Sequence, residues 1–541
     1  MKLSAKDKAF RTNKVSYMDF KLIEMDRVLT NLFARLKHSG AGSRLKAKPM
    51  AVEMYVEEFT DPKNQQQFQH FAQHQDTVKR WVETHLVDMV NRGKANEVVA
   101  SPRPLHGNTY LFRNPKHCRD YGVSQQIYEL LYYADKGHSA IEQLKQFFFA
   151  GVDPNTGKYD GQIEVDVETQ ALLRLSDQVS SDAAETGDLQ DRVEPLCLAA
   201  ANILADDIIR LLVYKHYIPR TVMVDYIKTL LAFHLALYQL RIIKLLPALV
   251  KSKGHQADDE AKCRIGLFVD VTQGQNAMTG QLAEASARLH FRRLPEFIKS
   301  YFAVKKLEEF AEYLSKKGRL SGSLSVKKMP VTALLRLLES PLQQERQLFF
   351  GQRNSALLDG SVSAAKDQES IPPEIQALAS LGLDEFSTYN EILLYVQGNT
   401  IRSGAVKNLD SLMLKNKPGA LLTQPQGTQA PRRFVLDSRL LEVLLQLAVL
   451  QPGGVQGFHT TQLRIDELLD WLQARYGLHI DRLPEDDDIA DETINTRKAL
   501  RDNTLGFKKR LREIGFYHDL SDAYITQTVS PRYVIEEAVG A

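Results

Sequence analysis

The sequence predicts a mainly α-helical, multidomain protein that ends in a winged-helix (α+β) module. Three observations predict it. Apolar residues recur at helical spacing along most of the chain. At 541 residues the chain is too long for one core. Its last stretch of about 100 residues runs helix, strand, helix, helix, hairpin, which is the winged-helix order.

Taken in order, residues Ser16 to Lys37 place Phe20, Ile23, Val28, Leu32 and Leu36 at roughly helical spacing, followed by a Gly/Ser loop. Helical runs are expected over Asn64–Arg92 and Ser124–Phe149, with irregular structure at Ser101–Tyr121 between them. An N-terminal helical region, 1–190, closes after the turn-rich Asp153–Gly161. The central helical domain, 191–354, holds the apolar helices Leu196–Tyr214 and Thr221–Leu246, with Pro219 marking the turn between them. Both carry more apolar residues than one face needs, so they should be packed on several sides.

A short strand is expected at 263–271 (CRIGLFVDV), then helices over Thr279–Ser315 and Val331–Glu339. The polar, proline-containing Ser355–Glu374 reads as a loop, and a helix resumes at Leu383–Val396. This linker and helical connector, 355–430, ends in a basic loop. Leu414–Arg433 has four basic residues, three prolines and no acid, the clearest boundary in the sequence. The module 431–541 follows: helix Ser438–Leu450, β-type Phe458–Leu463, helix Arg464–Tyr476, basic helix Thr493–Phe516 and a hairpin over Phe516–Ile535. No internal repeat is evident.

The composition, 43% hydrophobic and 25% charged with mean hydropathy −0.30, is that of a globular protein. A net charge of +2 gives no global steering field, so a polyanion site has to be a local patch. Cys118, Cys197 and Cys263 are too few and too far apart for a disulfide framework or zinc ribbon, and fit a reducing cytoplasm. The basic N-terminus lacks an apolar core behind it and does not read as a signal peptide. The longest uncharged run in the most hydrophobic region, Thr229–Leu240, falls well short of the ~20 residues of a membrane span and reads as a buried helix.

Local chemistry points to a partner class only in the basic helix. At 100° per residue, Leu500, Phe507, Leu511 and Ile514 form a core stripe. Arg497, Arg501, Lys508 and Arg512 share the adjoining face, with Lys498 and Lys509 beside them. Segregated like charges repel, so a polyanion explains such a face better than stability does. Asn495, Thr496 and Asn503 add groups able to bond base edges or phosphates, and Tyr517, His518, Tyr524 and Arg532 fall on or near the wing. Lys415, Lys417, Arg432 and Arg433 of the basic loop would add phosphate contacts. Against this, 431–541 holds 14 Lys plus Arg and 18 Asp plus Glu, a net of −4, with seven acids in Asp481–Glu492. Those acids fit favourable interaction with the helix N-terminus or a protein-binding module. Gly506 costs a mid-helix position roughly 1 kcal/mol against Ala and is a place where the helix could divide.

Other candidate chemistry is thinner. Asp153–Glu164 resembles a calcium loop but puts Gly157 and Lys158 where a ligand and a glycine are needed, so a turn or hairpin is expected. His70, His74 and His85 could share a helix face, but no HExxH glutamate lies between the first two and glutamines surround them, so a solvated face is expected. Asp270, at the end of the expected strand, is the most enzyme-like carboxylate, yet no phosphate cradle follows it. Asp206 and Asp207 project about 100° apart and should not grip one ion; one of them can neutralise Arg210. His234 reads as a satisfied core histidine. No catalytic, metal or cofactor site is assigned.

Three stretches, Asp225–Val250, Ala430–Leu450 and Leu511–Tyr533, resemble a family of large bacterial proteins encoded among methylation-associated phage-defence genes. The resemblance implies a cytoplasmic protein working with a methyltransferase, a specificity factor and ATPase-type partners, and it transfers no active-site residues. The function expected is that of a non-catalytic DNA-binding or target-sensing subunit. The alternatives are an assembly scaffold whose winged helix binds protein, and an effector nuclease with a site near Asp270.

Overall fold

The computed structural model describes residues 3–45, 50–64, 66, 68–153, 159, 165–176, 182–185, 192–255, 263–320, 325–339, 342–363, 373–423, 431–454, 457–485, 489–491, 493–517 and 528–536. The first third carries helices α1 (Ala5–Lys8), α2 (Met25–Lys37), α3 (Val52–Thr60), α4 (Gln75–Trp81), α5 (Val123–Tyr133), α6 (Gly137–Phe148) and α7 (Val167–Ser176). Among them lie the short strands β1 (Gly42–Ser43), β2 (Val87–Val90), β3 (Val98–Pro102) and β4 (Ala184–Glu185). The middle holds α8 (Leu198–Leu212), α9 (Arg220–Lys251), β5 (Leu267–Phe268), α10 (Ala277–Arg292), α11 (Leu294–Lys316), α12 (Val331–Leu335), α13 (Gln343–Ser363), α14 (Pro373–Ala379) and α15 (Glu385–Met413). The last part is α16 (Ser438–Ala448), β6 (Leu450–Pro452), β7 (Phe458–Thr460), β8 (Leu463–Arg464), α17 (Ile465–Tyr476), β9 (Leu478–His479), α18 (Ile494–Glu513) and β10 (Thr528–Val529). Helix dominates, as the apolar spacing predicts.

The 32-residue α9 is the axis of the fold. Its most apolar 18-residue window is 94% buried within the protein, so its hydrophobicity is that of a core helix enclosed by neighbours. Helices α2, α8, α11, α15 and α16 all pack against it. One apolar cluster extends from Leu3 to Ile535, and a second, around Tyr55, Phe59, Val82 and Leu172, lies under the N-terminal helices.

Several elements depart from the periodic pattern for identifiable reasons. The run expected over 124–149 divides into α5 and α6, and Gly137 permits the tight turn between them, since a Cβ there would meet the Leu131 carbonyl oxygen at 1.5 Å. The run expected over 64–92 holds only α4 as α-helix and ends as β2, whose β-branched residues pair antiparallel with β3. The loop expected at 355–374 begins inside α13. The strand expected at 263–271 shrinks to β5, which pairs in parallel with β9, so strand hydrogen bonds join the middle of the chain to its last part. Around the expected wing, β8 pairs antiparallel with β10 and Tyr517 bridges Val529. Residues 518–527 of that hairpin, with His518 and Tyr524, lie outside the described residues, as does most of the calcium-like loop.

Candidate nucleic-acid interface

Helix α18 forms where the sequence places its basic helix. Thr493 caps it, its hydroxyl accepting from the Thr496 N–H at 3.2 Å. Thr496, Ala499, Asn503, Phe507 and Leu511 are its buried residues, one per turn. Phe507 and Leu511 reach the main core, while Ala499 and the half-buried Leu500 join a small cluster with Phe268, Leu282 and Ala283.

Two residues on this face have roles other than those the sequence predicts. Asn503, expected to reach nucleic acid, is fully buried. Its Nδ2 donates to the Val269 and Ile480 carbonyls, each at 2.9 Å, and its Oδ1 accepts from the Val271 N–H at 3.0 Å. The side chain therefore satisfies backbone groups just beyond both β5 and β9. Thr496 is also buried, its hydroxyl donating to the Asp491 carbonyl at 2.9 Å. Gly506 does not divide the helix, which runs unbroken from Ile494 to Glu513. A Cβ there would meet the Thr272 Cγ2 at 3.1 Å, so the glycine lets α18 lie close on the loop after β5.

The opposite face is cationic. Arg497, Lys498, Arg501, Lys509 and Arg512 are exposed and Lys508 is half-exposed. By helix geometry these six fall within a solvent arc of roughly 120°. The helix's two acids lie beside the arc, each with a partner: Asp502 accepts from Asn276 Nδ2 at 2.8 Å, and Glu513 pairs with Arg510 at 3.7 Å. Asn495 is exposed beside the arc. Arg512 lies over the Tyr517 ring at 5.3 Å. Two apolar side chains interrupt the arc, Ile494 at 87% and Leu505 at 54% exposure.

The basic residues outside α18 are placed differently. Arg432 grips Asp410 with two hydrogen bonds, at 2.8 and 2.6 Å, and lies over the Phe291 ring. Arg433 pairs with Asp270 at 3.2 Å, Lys415 with Asp437 at 3.9 Å and Lys417 with Glu24 at 2.9 Å. Arg532 pairs with Glu442 and donates to the Ile514 carbonyl at 2.8 Å. These groups are not brought onto the α18 arc by any described contact. Sequence reasoning passes over Arg292 and Arg402, which with Arg288 and Arg432 line a cleft of about 420 Å³ between α10 and α15. They lie more than a hundred residues apart in the chain, and only the fold brings them together.

The other candidates resolve into internal contacts. Asp270 is buried, one oxygen accepting from the Thr272 N–H and hydroxyl at 2.8 and 2.6 Å, the other from the Gly274 N–H at 3.1 Å and paired with Arg433. Asp206 and Asp207 do converge on one ion after all: the Arg475 guanidinium from α17 bonds both. Asp206 also takes Arg210 and Lys136, each at 2.8 Å. Asp207 takes His234 at 2.8 Å and the Tyr476 hydroxyl at 2.7 Å. Burial pushes the Asp207 carboxyl up, but the His234 hydrogen bond and the Arg475 charge outweigh it and hold it below the ordinary carboxylate range. Burial pushes His234 down, against the pull of Asp207, so the pair is a carboxylate accepting from a neutral imidazole. His70 has left-handed backbone ahead of a short turn, so it does not share a helix with His74. No cluster of three or more metal-binding side chains occurs among the described residues.

A family model described as methylation-associated defense system protein MAD7 matches residues 5–533. No curated protein and no solved structure matches the chain.

Proposed function

The chain belongs to the family of the methylation-associated defense system protein MAD7, and from that premise we propose that it is a non-catalytic, DNA-binding or target-sensing subunit of a cytoplasmic anti-phage complex. Residues 431–541 act as a winged-helix-like module, with α18 as its recognition helix and the β8–β10 pairing as the root of its wing. The observation that carries this reading is the α18 arc: six cations on one solvent face, with both acids of the helix beside it and engaged by Asn276 and Arg510. Lysines and arginines in such an array exchange condensed counterions for protein contacts along a phosphate backbone. Arg432 and Arg433 keep their internal carboxylates in this scheme. Other proteins of the defence system are the remaining partners.

Exposed Ile494 and Leu505 favour a second reading, in which the same face docks a protein of the complex and the chain serves as a scaffold. Charge reversal separates the two. Duplex DNA binding by the full chain should weaken steeply with salt. The triple variant Arg501→Glu, Lys508→Glu, Arg512→Glu should bind at least about tenfold more weakly, with the salt slope shallower by about 0.9 for each phosphate that is no longer neutralised. Unchanged affinity and an unchanged slope would leave the scaffold reading in place.

A further inference from the structure

The long core helix α9 buries three long polar side chains, His234, Gln239 and Arg241. His234 has Asp207, and Gln239 donates to Ser16 Oγ at 3.5 Å and lies 3.1 Å from Met18 Sδ. Arg241 is different. It is 7% exposed, its Nε is enclosed with no hydrogen-bond partner, and no carboxylate pairs with it among the described residues. Leaving a guanidinium uncompensated in a core is costly, and such charges are ordinarily paired.

Arg241 forms part of the wall of a cavity of about 260 Å³ between α9, the segment before β5 and the end of α17. Arg264, Arg475, His479 and Gly477 share the wall, and Glu485 is its one carboxylate among the described residues. Arg264 is exposed at the rim and forms no described ion pair. Arg475 is already held by Asp206 and Asp207, which also take Lys136 and Arg210. Gly477 has φ +75°, and a Cβ there would meet the Ile265 carbonyl oxygen at 1.9 Å, so the wall closes only with glycine at that position. The volume lies below the ~300–1,000 Å³ of pockets that take drug-sized ligands, so it fits one phosphoryl-sized group, with the rest of any larger ligand lying outside.

We propose that this cavity binds a phosphoryl-type anion, with Arg241 as its buried anchor and Arg264 as its rim contact. Guanidinium groups present forked donors that match tetrahedral oxyanions, and enclosure strengthens each charge-assisted bond. The anion completes the charge of Arg241, and it does so where the central helix meets the C-terminal module. Its source is either free phosphate or the phosphate of a nucleoside monophosphate. Neither anchor lies on α18, so this proposal and the DNA reading fail independently.

The test is calorimetric titration of the full chain with inorganic phosphate, adenosine 5′-monophosphate and adenosine, at ionic strength held constant with chloride. Saturable binding of phosphate or the monophosphate is expected, with none for adenosine. Arg264→Ala, at the exposed rim, should weaken it about tenfold, as expected for removal of one charge-assisted hydrogen bond. Arg241→Gln should abolish it in protein whose circular dichroism matches the parent, and if that variant does not fold, Arg264→Ala decides. Monophosphate binding tighter than phosphate assigns the nucleotide as source, and equal binding assigns free phosphate; both support the site. No saturable binding, adenosine binding as well as its monophosphate, or binding that folded Arg241→Gln or Arg264→Ala leaves unchanged overturns it.

Discussion

Buried ionisable side chains set how this protein should respond to pH. Burial, reinforced by Arg220, pushes His106 down from 6.5 to about 3, where it accepts from the Asn108 N–H at 3.1 Å. Burial also lowers His234. Both are neutral when folded, while their unfolded counterparts take up protons below about pH 6.5. The unfolded state thus binds more protons as pH falls from about 6.5 towards 3, and stability is lost over that window. Asp206 and Asp207 act in the same direction lower down, since their folded carboxyls are held below 3.8 and the unfolded ones protonate first. Chemical unfolding midpoints should therefore fall steadily between about pH 7 and pH 5, before any carboxylate effect, and a midpoint constant over that range would contradict the burial of neutral imidazoles. At this scale the sequence was partly legible. The Asp206–Arg210 pair follows from helical spacing, and the satisfied state of His234 from its place inside an apolar helix. The grip of both aspartates on Arg475 does not, because that residue lies 268 positions from Asp207.

Among the elements, α18 shows most clearly what periodicity can and cannot reveal. The cationic arc was readable because charge segregation is a property of the helix alone. The inward face was readable at Phe507, Leu511 and Ile514, which meet the main apolar core, and at Leu500, which joins the small cluster. At Asn503 and Gly506 it meets the ends of β5 and β9 and the loop beyond, so an amide and a bare Cα take the place of hydrocarbon. A buried amide of this kind looks, in sequence, like a side chain free to read bases. The two roles separate in Asn503→Ala. That change leaves two carbonyls and one N–H without their partner and should lower stability by about 3 kcal/mol, given about 1 kcal/mol or more per orphaned group. Unfolding titrations should show this loss while the salt slope of DNA binding stays at its parent value. Parent-like stability with weakened DNA binding would return Asn503 to the interface.

The whole molecule is knit by contacts between distant parts of the chain. Lys14 Nζ donates to the Val326, Lys327 and Met329 carbonyls at 2.9 to 3.0 Å. The Tyr301 hydroxyl donates to Thr12, β5 pairs with β9, and Asp270 forms a bridge with Val435. Such pairings have no local signature, which is why the helices could be read from the sequence while their assembly, the α10–α15 cleft and the Arg241 cavity could not. The assembly nevertheless leaves the α18 arc facing solvent, and it is along this arc that DNA is proposed to lie. Photo-crosslinking of the intact protein to duplex DNA, followed by mass spectrometric mapping, tests that placement. Crosslinks should concentrate within residues 494–513 and be removed by high salt. Crosslinks confined to other surfaces, such as the cleft of Arg292 and Arg402, or none above a nonbinding control, would contradict it.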